Sequence, residues 1–217
     1  MSQGSWEALK QARHADVCII IGNGPSLNAV PRDFLYRYDT FGTNRIYLKF
    51  VPEFYAAVNP LVIEQSIEDI ATLDSAAKFV AQAWASKVPG AFGLISRDVP
   101  HFSRDPSKGI YEGFTVTYVC MQLAFFMGYR TALLVGVDHR YTFVGEPNQE
   151  KVLQGDDPNH FDPNYFSGMR WNNPDLEHSE LAYQMAKTNW EADGRRIVNL
   201  GPDSVLDVFE RGKLGDW

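Results

Sequence analysis

The chain is poor in cysteine, short of positive charge, and without any long apolar run. Two cysteines in 217 residues cannot frame a disulfide scaffold; Cys18 and Cys120 both lie in apolar surroundings and read as buried thiols of a reducing compartment. Lysine and arginine number 20 against 27 aspartates and glutamates, a formal net charge of −7. That balance argues against duplex nucleic acid or an anionic membrane face as partner, so an anionic ligand must be met by local backbone donors. No segment approaches the roughly 18 apolar residues of a membrane span. The opening residues Met1–Trp6 lack the apolar stretch of a leader, which places the protein in the cytoplasm on this reading. Internal repeats and low-complexity stretches are absent too.

What is present is a ring-rich globular composition, 45% hydrophobic and 13% aromatic, and a length that suits one domain over residues 1–217 with one active site. Val17–Ile21 is a short β-branched run closed by Gly22, the pattern of a strand buried on both faces of a parallel sheet. A helix is expected from about Pro25-Ser26. Thr40–Asn44, Tyr55–Asn59 and Lys78–Ala81 read as further strands, and Leu61–Ile70 as a helix opened by Pro60. Val116, Val119, Cys120, Leu123, Ala124 and Met127 form a helical stripe, Gly128 a stop, and Leu133–Asp138 a buried strand. A helix over Asp175–Ala192, a strand over Arg196–Leu200 and a last helix after Gly201–Ser204 complete the chain. The alternation predicts a Rossmann-like α/β domain, with a mainly parallel central sheet covered by helices on both faces. Residues 139–173 are polar, rich in Pro, Asn, Asp and Gly, and studded with aromatics. A connection of that length inside a domain is usually functional, and a lid is the expectation.

Gly22-Asn23-Gly24-Pro25-Ser26 lies between a buried strand and a helix start, where free backbone N–H groups and the helix dipole favour a phosphate. Leu27 stands where a dinucleotide fingerprint needs its third glycine, and no P-loop lysine follows. Asn23, Asn44 and Asn59 each follow a strand. In a parallel sheet they converge on the crevice at the carboxyl ends, where amides suit a nucleotide because they add no negative charge. Asp138 leads into the same crevice, and Arg140 and Tyr141 can hold a phosphate or carboxylate, unless Asp138 merely caps a turn and His139 is merely solvated. His160 and His178 are the candidate general bases, because histidine titrates near neutrality.

These residues resemble a known group. Ile21–Leu27, Phe41–Asn44, Val58–Pro60, Gly128-Tyr129 leading into Val135–Asp138, and Gly201–Ser204 are similar to the ordered motifs of Campylobacter-type bacterial sialyltransferases. They are similar also to a wider set described as 6-hydroxymethylpterin pyrophosphokinase MptE-like, which includes the central domain of flagellin-modifying, Maf-type nonulosonic acid transferases. The resemblance implies a nucleotide held by Asn23, Asn44 and Asn59, with Thr115 and the loop after Asp138 near its phosphate. His178 matches the sialyltransferase base by its distance ahead of Gly201-Pro202, whereas His160 matches the His-Phe motif of the pterin-kinase-like set.

Three functions are compatible with this reading. One is a glycosyltransferase using a CMP-activated nonulosonic acid in surface-glycan synthesis, with no metal required; His160 or His178 deprotonates the acceptor, and Arg140 or Tyr141 stabilises the leaving phosphate. Another is a diphosphokinase moving pyrophosphate from ATP to a hydroxymethyl pterin, which needs Mg²⁺ on ligands such as Asp138, Asp156 and Asp157. The third is a nucleotide-sugar-binding accessory protein without chemistry, and a homo-oligomer is compatible with each.

Overall fold

Val17–Ile21 forms β1, buried at four of its five residues, in a computed structural model that describes residues 5–217. Most of Met1–Trp6, on which the expectation of no leader rests, therefore lies outside the described residues. β1 pairs in parallel with β2 (Asp39–Thr43) on one side and β6 (Thr131–Val135) on the other. Beyond β2 lie β3 (Phe54–Ala57), β4 (Ala77–Ala81) and β5 (Phe92–Leu94); beyond β6 lie β9 (Arg196–Asn199) and β10 (Glu210–Arg211), every pairing parallel. The order β10-β9-β6-β1-β2-β3-β4-β5 reverses direction between β1 and β6. That reversal is the topological switch point at which open α/β sheets place their ligand crevice.

Alternation along the strands divides the core into two layers. Ile20, Phe41, Phe54, Phe79 and Leu134 pack with α4 (Val116–Met127) and α5 (Leu176–Ala192). Ile19, Ile21, Tyr55, Val80 and Leu133 pack on the other face with α2 (Arg32–Leu35), α3 (Pro60–Thr72) and the aromatics Phe161, Tyr165, Phe166 and Trp171. A short α1 (Trp6–Leu9) sets Trp6 against Phe79, Phe92 and Phe126. Cys18 and Cys120 are free, fully buried thiols, and burial pushes both well above the ordinary thiol range. Among the described residues no helix is long and apolar enough to cross a membrane.

Helix α4 ends where its sequence says it must: Gly128 takes φ 93 and donates its N–H back to Ala124 and Phe125. β6 starts and stops earlier than the apolar run suggests, because Gly136 (φ 65) turns the chain out of the sheet. Two expected helices are not formed as read. After Gly24 the chain makes only a 3₁₀ turn over Pro25–Ala29. After Gly201 there is no α-helix: the Ser204 hydroxyl is engaged with Asn199 and the Val137 carbonyl, and the segment runs on to β10 and a 3₁₀ turn at Leu214–Asp216. The connection 139–173 is largely built: β7 (Glu150–Val152) and β8 (Arg170–Asn172) form an antiparallel ribbon within it.

Candidate functional site

A cavity of about 720 Å³ opens at the carboxyl ends of the strands, over the switch point. Gly22, Asn23, Asn44, Asn59, Thr115, Asp138, Tyr141 and His160 all line it, so eight of the residues singled out in sequence share one surface. Gly24, Ser26, Arg140 and His178 do not.

The glycine loop is built differently from a phosphate cradle. The N–H of Gly22 donates to Val135 O at 2.8 Å and that of Gly24 to Gly136 O at 2.8 Å. The N–H of Ser26 donates to Asp138 Oδ2 at 2.9 Å, and the Ser26 hydroxyl donates to Asp138 Oδ1. The N–H groups of Gly22, Gly24 and Ser26 are therefore consumed by the end of β6 and the loop after it. The glycines are needed for contact between the two loops: a Cβ at Gly22 would stand 2.4 Å from Gly136 O, one at Gly24 2.6 Å from the Asp138 carboxylate, and one at Gly136 2.7 Å from Gly22 O. Ser26 and Asp138 fasten this junction, so the turn-capping alternative for Asp138 is the geometry found. Arg140 is turned toward the Asp203 carbonyl, 3.4 Å away.

Anion-receptive groups come instead from helix ends. The first residues of α3, α4 and α5 all line the cavity. α3 is capped by Asn59, whose Oδ1 accepts from Leu61 N at 2.9 Å, and α4 by Thr115, whose Oγ1 accepts from Thr117 N at 3.3 Å. Both caps are neutral and neither first turn carries an acidic residue, which leaves the positive ends uncompensated; α4 is an unbroken helix of 12 residues, whereas α3 is interrupted at Ser66 (φ −131), so the stronger dipole is that of α4. α5 is capped by Asp175, whose carboxylate satisfies that dipole itself. Burial pushes the Asp175 carboxyl up, but donation from His178 and Asn148 more than offsets this and holds it below the usual range. Arg97 is the one arginine or lysine on the cavity wall, against Asp98, Glu112, Asp138 and Asp175. Burial raises the Glu112 carboxyl even though it is bonded to the Ser96 hydroxyl.

The three asparagines differ in their work. Asn23 donates through Nδ2 to Thr43 Oγ1 at 2.8 Å and Thr43 O at 3.2 Å, tying the ends of β1 and β2 together. Asn44 sits in the left-handed region (φ 51), which asparagine tolerates. The Oδ1 atoms of Asn23 and Asn44 are buried without a protein partner. Buried polar atoms are nearly always satisfied, and such exceptions concentrate at functional sites.

His160 is set into this arrangement by the chain around it. Phe161 N donates to Asn23 O at 2.9 Å and Asn28 Nδ2 to Phe161 O at 2.9 Å, which fastens the segment to the glycine loop. The imidazole lies flat on Tyr165, with ring centroids 4.1 Å apart and planes 4° from parallel, and its Nδ1 is 2.8 Å from Asp157 Oδ2. The Asp157 side chain is 1% exposed. A buried carboxylate on one ring nitrogen fixes the tautomer and stabilises the imidazolium when the other nitrogen takes a proton. His178 is directed outward: its ring is 55% exposed, bonded to Asp175, and lines a separate cavity. Asp138, Asp156 and Asp157 do not gather into a cation site, since Asp138 is held by Ser26, Asp157 by His160 and the Asn159 N–H, and Asp156 is exposed. Among the described residues no three metal-ligating side chains converge.

The residue to which sequence reading assigns no role is His139, whose solvation is one of two alternatives left open there. It is held in a left-handed backbone (φ 53), with a side chain only 8% exposed that lines the cavity and stands 3.6 Å from Glu180 Oε2. Burial lowers its pKa against the opposing pull of Glu180, which favours a neutral ring. Only its position directly after the strand end could have flagged it.

No protein-family model and no curated protein matches this chain. Among solved structures, the chain is similar to the sialyltransferase CstII from Campylobacter jejuni in complex with cytidine-5′-monophosphate, at TM-score 0.52 and 15% identity over 91% of this chain and 85% of that one. The same enzyme with CMP-3FNeuAc gives 0.51 and 16% over 89% and 84%. The monofunctional α-2,3-sialyltransferase Cst-I from the same organism gives 0.50 and 17% over 90% and 79%. At these identities the likeness establishes a shared fold.

Proposed function

We propose that the protein is a nucleotide-dependent glycosyltransferase whose donor is a CMP-activated sugar of the nonulosonic acid class, used in surface-glycan synthesis in the cytoplasm. The observation that carries this reading is the union, in one cavity at the switch point, of neutral-capped helix N-termini, the unpartnered Oδ1 atoms of Asn23 and Asn44, and the His160–Asp157 pair. The nucleotide phosphate rests at the ends of α3 and α4, where dipoles replace cations. Asn23, Asn44 and Asn59 contact the nucleoside. His160 takes the proton of the acceptor hydroxyl as its oxygen bonds to the anomeric carbon and the bond from that carbon to the phosphate oxygen breaks; CMP departs with the electron pair. Segment 139–173, anchored in the core by Phe161, Tyr165, Phe166 and Trp171, covers the donor as a lid and excludes water. The structural neighbours, two of them described with CMP or a CMP-sugar, support the choice of cytidine. The diphosphokinase alternative finds no ligand set in Asp138, Asp156 and Asp157.

Thermal unfolding with nucleotides tests the reading. CMP or CDP stabilises the protein by about 2.7 kcal/mol at one hundred times its dissociation constant, and AMP or GMP at the same concentration stabilises it less. Equal shifts for all nucleotides, or a shift with ATP and Mg²⁺ alone, overturn it. Stabilisation by CMP without turnover of any CMP-sugar leaves only a binding protein.

A further inference from the structure

A second cavity of about 470 Å³ lies on the outer face of α5, between Pro100, Tyr111, His178, Leu181, Gln184 and Met185. It adjoins the first. Tyr111 lines both, and Phe114 of the main cavity lies against His178 of the second, with ring centroids 4.8 Å apart and planes 31° from parallel. Phe114 is out of place on two independent counts. Its ring is 46% exposed, and its backbone has φ 58, a conformation that bulky side chains avoid. The preceding Gly113 is also left-handed, because a Cβ there would stand 2.5 Å from the Tyr118 ring. A strained backbone that holds an exposed aromatic at the rim of a cavity is not explained by packing, and strain of this kind concentrates at ligand clamps.

We propose that Phe114 and His178 form a stacking platform for a neutral saccharide, and that the second cavity holds its next sugar unit. As the acceptor site of a transferase this rests on the function proposed above; as a sugar-binding site it does not. The chemistry selects a saccharide. Flat rings offer electron-rich faces to the C–H faces of a pyranose. Beside them Gln184 carries an exposed side-chain amide with no protein partner, available to sugar hydroxyls. Glu112 and Asp98 on the adjoining wall repel an anionic peptide or phosphorylated ligand. His178 is kept in plane by Nδ1 contacts of 2.9 and 3.0 Å to both Asp175 oxygens, which pre-orients one half of the platform.

The test is saturation-transfer NMR of the full chain with maltose, cellobiose, lactose and chitobiose, beside the same titration of Phe114→Gly, Phe114→Tyr and Leu181→Asp. The expected result is binding of at least one disaccharide, weakened tenfold or more in Phe114→Gly and Leu181→Asp and retained in Phe114→Tyr. Because glycine accepts φ 58 freely, Phe114→Gly keeps or raises the Tm while losing the sugar, a combination that a purely structural role for Phe114 does not give. Undiminished binding by Phe114→Gly overturns the proposal, as does a parent protein that binds none of the disaccharides but takes up a dodecyl chain or an acidic peptide. Sugar binding with no thermal response to CMP leaves the platform standing and removes the transferase.

Discussion

Three histidines in this molecule pair with an aspartate through Nδ1, at 2.6 Å for His14–Asp39, 2.8 Å for His160–Asp157 and 2.9 Å for His178–Asp175. The distances do not separate them. Their surroundings do: the ring is 74% exposed in the first, 11% in the second and 55% in the third, while all three carboxylates are buried. His14 lies at the amino end of the sheet, where Asp39 also accepts from the Tyr129 hydroxyl at 2.7 Å and His14 N at 2.8 Å, and it lines neither of the two cavities described above. His160 is stacked on the Tyr165 ring beside the cavity at the switch point. A short His–Asp contact is thus part of a hydrogen-bonded clasp at one end of the sheet, and at the other it is the pair proposed above to take the acceptor proton. What faces the second ring nitrogen decides which.

The sharpest way to break this comparison is to remove the rings one at a time. His160→Ala lowers the steady-state transfer rate by roughly 10²–10⁴-fold, the usual contribution of a general base, and His14→Ala leaves it unchanged. Should His178→Ala produce the large loss and His160→Ala not, the outward-facing pair is the base and burial was the wrong criterion.

The same contrast shows what sequence could convey. Strands that end on an asparagine and helices that begin with Asn59-Pro60 or Thr115 were legible, because short apolar runs and caps are local signals. The convergence of Asn23, Asn44 and Asn59 followed from parallel topology alone. The fate of the Gly22, Gly24 and Ser26 N–H groups was not legible: they are taken by carbonyls and a carboxylate more than a hundred residues away, at Val135, Gly136 and Asp138. β5 and β10 are three and two residues long and lie at the sheet edges, too short for periodicity to show. The expected last helix failed because Ser204, a good cap in isolation, is bound to Asn199 and Val137.

A second prediction targets the junction at the carboxyl end. Gly24→Ala forces a Cβ to within 2.6 Å of the Asp138 carboxylate and 2.9 Å of Gly136 O, and neither the backbone nor a carboxylate held by Ser26 can withdraw easily. The expected cost is about 1–3 kcal/mol, with weaker CMP binding in the same variant. At this chain length a thermal melt reads each kcal/mol as about 2–4 °C. An unchanged Tm would mean that the two loops are not in rigid contact.

At the amino end, Tyr129→Phe removes one donor to Asp39 and leaves two. Its expected cost is smaller, about 1 kcal/mol, the ordinary net worth of a hydrogen bond, and CMP binding is unaffected because the network lies at the far end of the sheet. Urea titration of parent and variant measures it. A loss of CMP affinity in Tyr129→Phe would show that the two ends communicate through β2.

The smallest effect is the most diagnostic of a clasp. The His14 pKa is raised above its ordinary 6.5 by the hydrogen bond to Asp39, then by the charge of Asp39 and more weakly of Glu53. A folded-state pKa above the unfolded one means that protonated His14 stabilises the fold fully below about pH 6.5, and that this contribution fades as the pH rises through the folded value. His14→Ala keeps the backbone N–H that donates to Asp39 Oδ2, so the variant loses only the ring. Urea midpoints measured from pH 5 to pH 9 should therefore place the parent above the variant at the acid end, with the two curves converging as the pH rises. The solvent-exposed ring keeps the gap small, and added salt shrinks it further. A gap that stays constant across the range would mean that the ring packs without carrying charge, and His14 would then be no closer to His160 in kind than any neutral side chain.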